Sequence, residues 1–157
     1  MDKRNTLINI LKDVVEGVAV GCIAVQEISF IKVSFPVIGF HYWEGATGKR
    51  EYLKHSHRHR FIFTVVIEVF ENDREIEFHD FLEFCKNEVL SIRSMENPSG
   101  EPVNFGGKSC EQIAKDLAER IEQNYGNCRD LMVEVSEDGE TSAIYSIQYN
   151  KLENGGK

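Results

Sequence analysis

The stretch His55-Ser56-His57-Arg58-His59-Arg60-Phe61-Ile62-Phe63-Thr64-Val65-Val66-Ile67-Glu68-Val69-Phe70 decides the fold. Phe61, Phe63, Val65, Ile67 and Val69 recur at every second position, and the residues between them are mixed. Successive strand side chains point to opposite faces, so the pattern predicts a half-buried strand over residues 61–70. His55, His57 and His59 continue the same phase upstream. If the strand runs back that far, their imidazoles face the packed side about 6.7 Å apart. Imidazoles at i and i+2 can lean toward one ion. Zinc binds nitrogen at about 2.0–2.1 Å, and three protein ligands plus an open position is its catalytic arrangement. His41, after an earlier strand, completes a candidate three-histidine site. The competing reading is a solvated His/Arg strand end.

Upstream, residues 28–40 are mostly β-branched and aromatic, with Pro36 marking a bent or edge strand. A polar loop over 44–54 contains Gly45 and Gly48. Downstream, Glu71-Asn72-Asp73 supplies turn chemistry, and a short strand around Ile76 precedes a helix over 79–91. That helix places Phe81, Cys85, Val89 and Ile92 on one face. Asn97-Pro98-Ser99-Gly100 and Gly106-Gly107 bracket a loop. Ser109-Cys110-Glu111-Gln112 fits a capping box and opens a second helix with an apolar stripe of Ile113, Leu117, Ile121 and Tyr125. Gly126 ends it. Two strands, over 130–136 and 143–149, close the chain through Asp138-Gly139. The expected class is α+β: an antiparallel four-stranded sheet in ββααββ order, with two helices on one face. Leu7, Ile8, Leu11, Val14, Val15 and Val18 predict an extra N-terminal helix over 4–18. Residues 1–27 thus read as a helical extension and 28–157 as the main domain.

The chain has 157 residues, enough for one core-forming domain. Apolar residues make up 41% and charged residues 28%, which argues against disorder and against a collagen-like chain. No apolar run is long enough to span a membrane. The net charge of -8 disfavours nucleic acid as a partner, because phosphates are repelled at long range. The N-terminus does not read as a signal peptide. Cys22, Cys85, Cys110 and Cys128 form no CxxC and read as reduced thiols of a cytoplasmic protein, with Cys85 and Cys110 as helix packing.

Two further features bear on chemistry. Lys49, Arg50, Lys54, Arg58 and Arg60 concentrate positive charge in an otherwise acidic chain. Such a spot either attracts a phosphate or carboxylate or is a solvated basic loop. In the first closing strand Leu131, Val133 and Val135 face inward, and Glu137 shares their phase. Glu137 is either already in a turn or lines a pocket, where it can accept two hydrogen bonds from an amidine-like or aminopyrimidine edge.

Several motifs occur in an order and spacing that resemble one family. Phe40-His41 is followed by His57-Arg58-His59-Arg60-Phe61, then Ile76-Glu77-Phe78, then Ser109-Cys110-Glu111-Gln112-Ile113-Ala114, and finally Glu137 and Tyr145. Over residues 28–149 the chain is similar to the 6-pyruvoyltetrahydropterin synthase and 6-carboxytetrahydropterin synthase family, whose fold is the T-fold. The resemblance implies that His41, His57 and His59 hold zinc and that Glu137 anchors a pterin or nucleobase-like ring. It also implies a homo-oligomer: trimers whose sheets close a barrel, often stacked as hexamers.

The departures from the family pattern are specific. Leu53 stands where the family has its catalytic cysteine, and Lys54 where a variant branch has a glutamate. The family's aspartate-histidine relay should fall near Ile92-Arg93-Ser94, which carries neither group. Arg58 replaces a glycine, and Asp138 replaces a threonine. General acid-base chemistry needs a titratable group within reach of the proton, so His55 becomes the expected proton shuttle, with Glu51 behind it. Three functions compete. One is a zinc-dependent lyase-type enzyme on a dihydroneopterin triphosphate-like pterin, with zinc as Lewis acid. Another is an inactive T-fold protein that binds or sequesters a phosphorylated purine- or pterin-like metabolite, its phosphates held by Lys54 and Arg58. The last is an assembly protein with incidental histidines.

Overall fold

The computed structural model describes residues 27–92 and 102–149. The helix expected over 4–18, Cys22, the 97–100 loop, and Arg93 and Ser94 of the expected relay position lie outside the described residues.

β1 (Ser29–His41) and β2 (His57–Val69) form a long antiparallel pair in which Val33 faces Val65, Phe35 faces Phe63 and Val37 faces Phe61. The predicted phase holds: Phe61, Phe63, Val65, Ile67 and Val69 are all buried. β4 (Leu131–Glu137) pairs antiparallel with β2, and β5 (Thr141–Ile147) pairs antiparallel with β4. Two helices, α1 (Phe78–Ser91) and α2 (Cys110–Tyr125), cover the face to which these apolar side chains point. Phe81, Cys85 and Val89 of α1 and Ile113, Leu117 and Ile121 of α2 complete one core with the sheet. Phe35 and Phe63 stack at 5.4 Å across β1 and β2. Among the described residues no helix is long and apolar enough to cross a membrane.

Two expectations about the elements are corrected. Among the described residues the sheet has five strands, not four, in the order β3 (Val103–Asn104), β1, β2, β4, β5. The extra strand, β3, pairs parallel to β1 at Gly39 and Phe40, so the sheet is mixed. The strand expected around Ile76 is absent: residues 70–76 form turns and bends. Glu75 explains this, because its carboxylate accepts the backbone N–H groups of Phe70 at 2.6 Å and Glu71 at 3.1 Å and pairs with Arg129. Those bonds hold the chain in a turn, and Ile76 is buried from a loop. Glu77 follows as the N-cap of α1, accepting from His79 N and Asp80 N. The predicted capping box of α2 is present, with Ser109 and Gln112 bonding reciprocally. Within the polar loop, Gly48–Lys54 forms a 3₁₀ helix.

Candidate metal centre

Register brings the histidines together. His41, the last residue of β1, lies directly opposite His57, the first residue of β2, while His59 lies opposite Gly39. All three share the phase of the buried core residues. Directly opposite strand partners are the closest side-chain neighbours, and diagonal ones remain within reach of rings. The ring centroids form a near-equilateral triangle of 4.7, 5.0 and 5.2 Å. One ring nitrogen from each lies within 4.8 Å of the other two. Phe61, fully buried, sets its ring edge-to-face with His41 at 5.3 Å and with His59 at 5.7 Å, forming the floor. Phe61 in turn packs on Phe105 at 5.0 Å. Gly39 makes room for that pair, since a Cβ there would lie 2.7 Å from Phe105 and 3.0 Å from Phe61.

Hydrogen bonds fix how the rings present themselves. His41 Nδ1 donates to Lys108 O at 3.2 Å, and His57 Nδ1 donates to His55 O at 2.8 Å. His59 Nδ1 donates to the Asp138 carboxylate at 2.6 Å. Carbonyl and carboxylate oxygens only accept, so Nδ1 carries a proton in each ring, and Nε2 is the nitrogen whose lone pair the neutral imidazole offers. Three imidazoles that converge over an apolar floor, each with a ring nitrogen to offer, are a donor set zinc takes. The residues therefore fit a metal ion. Burial pushes the His41 pKa below its ordinary value although Glu137 opposes the shift, which keeps the ring in its ligating neutral form.

A cavity of about 370 Å³ opens beside the cluster. His41, His57, Glu137 and Cys110 lie on its polar side, and Tyr42, Trp43 and Leu53 supply much of its apolar wall. Glu137, opposite Phe61 in the register, is half-buried and reaches His41 Nε2 at 3.2 Å and His59 Nε2 at 3.9 Å. Cys110, in the first turn of α2, donates its S–H to Glu137 at 3.2 Å. Burial and the Glu137 charge raise the Cys110 pKa, so the sulfur remains a protonated donor.

The other predicted site residues stand apart from this cavity. His55 caps the 3₁₀ helix, is exposed, and contributes its backbone carbonyl to His57. Lys54 is exposed and donates to Glu51 at 3.2 Å. Arg58 is exposed on the sheet face away from the helices, in register with Phe40. Leu53 does line the cavity, with an apolar side chain. Sequence reasoning took Cys110 for helix packing and Asp138 for a turn residue. Asp138 does sit in a left-handed turn conformation at φ 55°, and that turn aims its carboxylate at His59. No sequence period marks either contact.

No protein-family model matches the chain, and no curated protein matches it by sequence. Solved structures do match. A catalytic residue mutant of 6-pyruvoyltetrahydropterin synthase from Plasmodium vivax has a TM-score of 0.52 and 13% identity, covering 79% of this chain and 100% of that one. A second such mutant gives 0.50 at 14% identity over the same shares. An uncharacterised protein from Wolinella succinogenes gives 0.50 at 15% identity, covering 76% of this chain and 98% of that one. The chain is similar in fold to 6-pyruvoyltetrahydropterin synthase. At these identities the likeness is one of fold.

Proposed function

We propose that this chain is a zinc-binding protein of the tetrahydropterin-synthase type. On this reading it takes a dihydroneopterin triphosphate-like pterin into the cavity beside His41, His57 and His59 and acts on it by lyase-type chemistry. The convergence of one ring nitrogen from each of three histidines beside a cavity with a carboxylate on its wall carries the proposal. Zinc held there would supply Lewis acidity toward hydroxyl and carbonyl oxygens of the pterin side chain. Glu137 would accept hydrogen bonds from the aminopyrimidine edge. Tyr42 and Trp43 would flank a flat ring. Trimeric or hexameric assembly is part of the same reading and would cover the open sheet edges.

One observation favours a second reading, capture without turnover. Leu53, at the position that the sequence resemblance assigns to a catalytic cysteine, lines the cavity, and the exposed His55 is not among the residues lining it. General acid-base work needs a titratable group within reach of the substrate, and a leucine offers none. Incubating the zinc-loaded protein with dihydroneopterin triphosphate separates the readings. Conversion of the pterin side chain supports the enzyme. Stoichiometric binding with the ligand recovered unchanged supports capture, and no binding at all refutes both.

A further inference from the structure

Glu137 does more than face the cavity. Its Oε1 lies 3.2 Å from His41 Nε2, and its Oε2 lies 3.9 Å from His59 Nε2. With each Nδ1 donating to a fixed acceptor, those Nε2 atoms present lone pairs whenever the rings are neutral. A carboxylate oxygen set against a neutral imidazole lone pair is repelled, so the close approach calls for a positive charge between them, which a metal ion supplies to both rings at once. A tetrahedral ion with arms of about 2.0–2.2 Å separates its ligand atoms by about 3.3–3.6 Å. The Glu137–His41 distance is close to such an edge. The Cys110 S–H holds Oε1 from the other side and limits the swing of the carboxylate.

We propose that Glu137 closes the metal centre of the ligand-free protein as its fourth ligand, and that an incoming ligand must displace its carboxylate to reach the ion. The proposal rests on the three-histidine reading and deepens it. The position that a catalytic zinc site usually keeps open is here occupied by a side chain of the same chain. Release leaves Glu137 a second partner already in place, the Cys110 thiol, and frees its other oxygen for an aminopyrimidine edge. Glu137 thereby couples ligand binding to opening of the site. A ligand that offers the ion an oxygen and the carboxylate a pair of N–H donors makes both exchanges at once. A ligand with only one of these features leaves the exchange incomplete.

Cobalt(II) substitution tests this. The full chain, stripped of metal, is titrated with Co²⁺ alongside Glu137→Gln and Glu137→Ala, following visible absorption and affinity. The wild type is expected to show the intense visible bands of four-coordinate cobalt. Both variants are expected to shift these bands as water replaces the carboxylate, and to bind Co²⁺ at least about tenfold more weakly, the lower bound for losing even an outer partner of a metal ligand. Unchanged bands and affinity in both variants would overturn the role of Glu137 while leaving the histidine site standing. A near-ultraviolet thiolate-to-cobalt band abolished by Cys110→Ala would assign the fourth position to sulfur and also overturn it. Failure of the wild type to bind cobalt at all would instead refute the three-histidine reading beneath it. Circular dichroism of the metal-free variants, expected to match the wild type, separates lost ligation from lost folding.

Discussion

Replacing Asp138 with asparagine isolates the contact that orients the third imidazole. Both carboxylate oxygens of Asp138 act as acceptors: Oδ2 takes the His59 Nδ1 proton at 2.6 Å, and Oδ1 takes the Arg60 backbone N–H at 2.9 Å. An amide offers only one oxygen. If that oxygen stays on Arg60, the new NH₂ faces His59 Nδ1, and the ring must move its proton to Nε2, the atom a metal needs. If the oxygen turns to His59, the NH₂ meets the Arg60 N–H donor against donor. Either way His59 is a poorer ligand in the variant. Loss of an outer partner of a metal-binding histidine typically costs about 10–100-fold in affinity, and the short charge-assisted bond places Asp138→Asn in that range. Competition against a zinc chelator at fixed pH measures the change directly. An Asp138→Asn protein that binds zinc as tightly as the wild type would show that the carboxylate does not set the tautomer of His59. Zinc binding lost together with the folded state, seen by circular dichroism, would mean that Asp138 holds the turn and not the ligand.

Other expectations follow from the same geometry. Gly39→Ala drives a methyl group into buried Phe105 and Phe61 and should cost about 1–3 kcal/mol in denaturant unfolding, with weaker zinc binding because Phe61 supports two of the imidazoles; unchanged stability would contradict the packing described. Trp43 is the single tryptophan of the chain and lines the cavity, so a pterin that enters should quench its emission saturably, and no quenching during demonstrated binding would place the ligand elsewhere. Burial holds the His41 pKa below its ordinary 6.5, so the unfolded chain takes up a proton that the folded one resists. The metal-free protein should therefore keep this contribution above pH 6.5 and lose stability as pH falls below it. A melting temperature of the metal-free protein that rises on acidification through this range would oppose that sign.

What the sequence disclosed and what it withheld divide along physical lines. The phase of β2 was legible because one sheet face is buried, and burial on one side writes itself as a period of two. The same alternation carried His57 and His59 inward and set Arg58 on the opposite face, away from the cavity. His55 shares the phase, but β2 begins at His57, and a period has no meaning before the strand starts. β3 escaped notice because two residues cannot display a period. Ile76 invited a strand assignment from its apolar character, whereas the turn around it is held by the Glu75 carboxylate, a bond that periodicity does not record. Glu137 was visible as an acid in an inward phase. Its neighbours His41, Cys110 and His59 meet it only through the pairing of β4 with β2 and the seating of the α2 N-terminus, which are properties of the folded chain.

Metal content tests the central claim most directly. The full-length protein is saturated with zinc, desalted and weighed by native mass spectrometry beside a His41→Ala/His57→Ala/His59→Ala variant. The account predicts one zinc ion per wild-type chain and none in the variant. A wild-type chain that carries no zinc, or a triple variant that retains its ion, would contradict it.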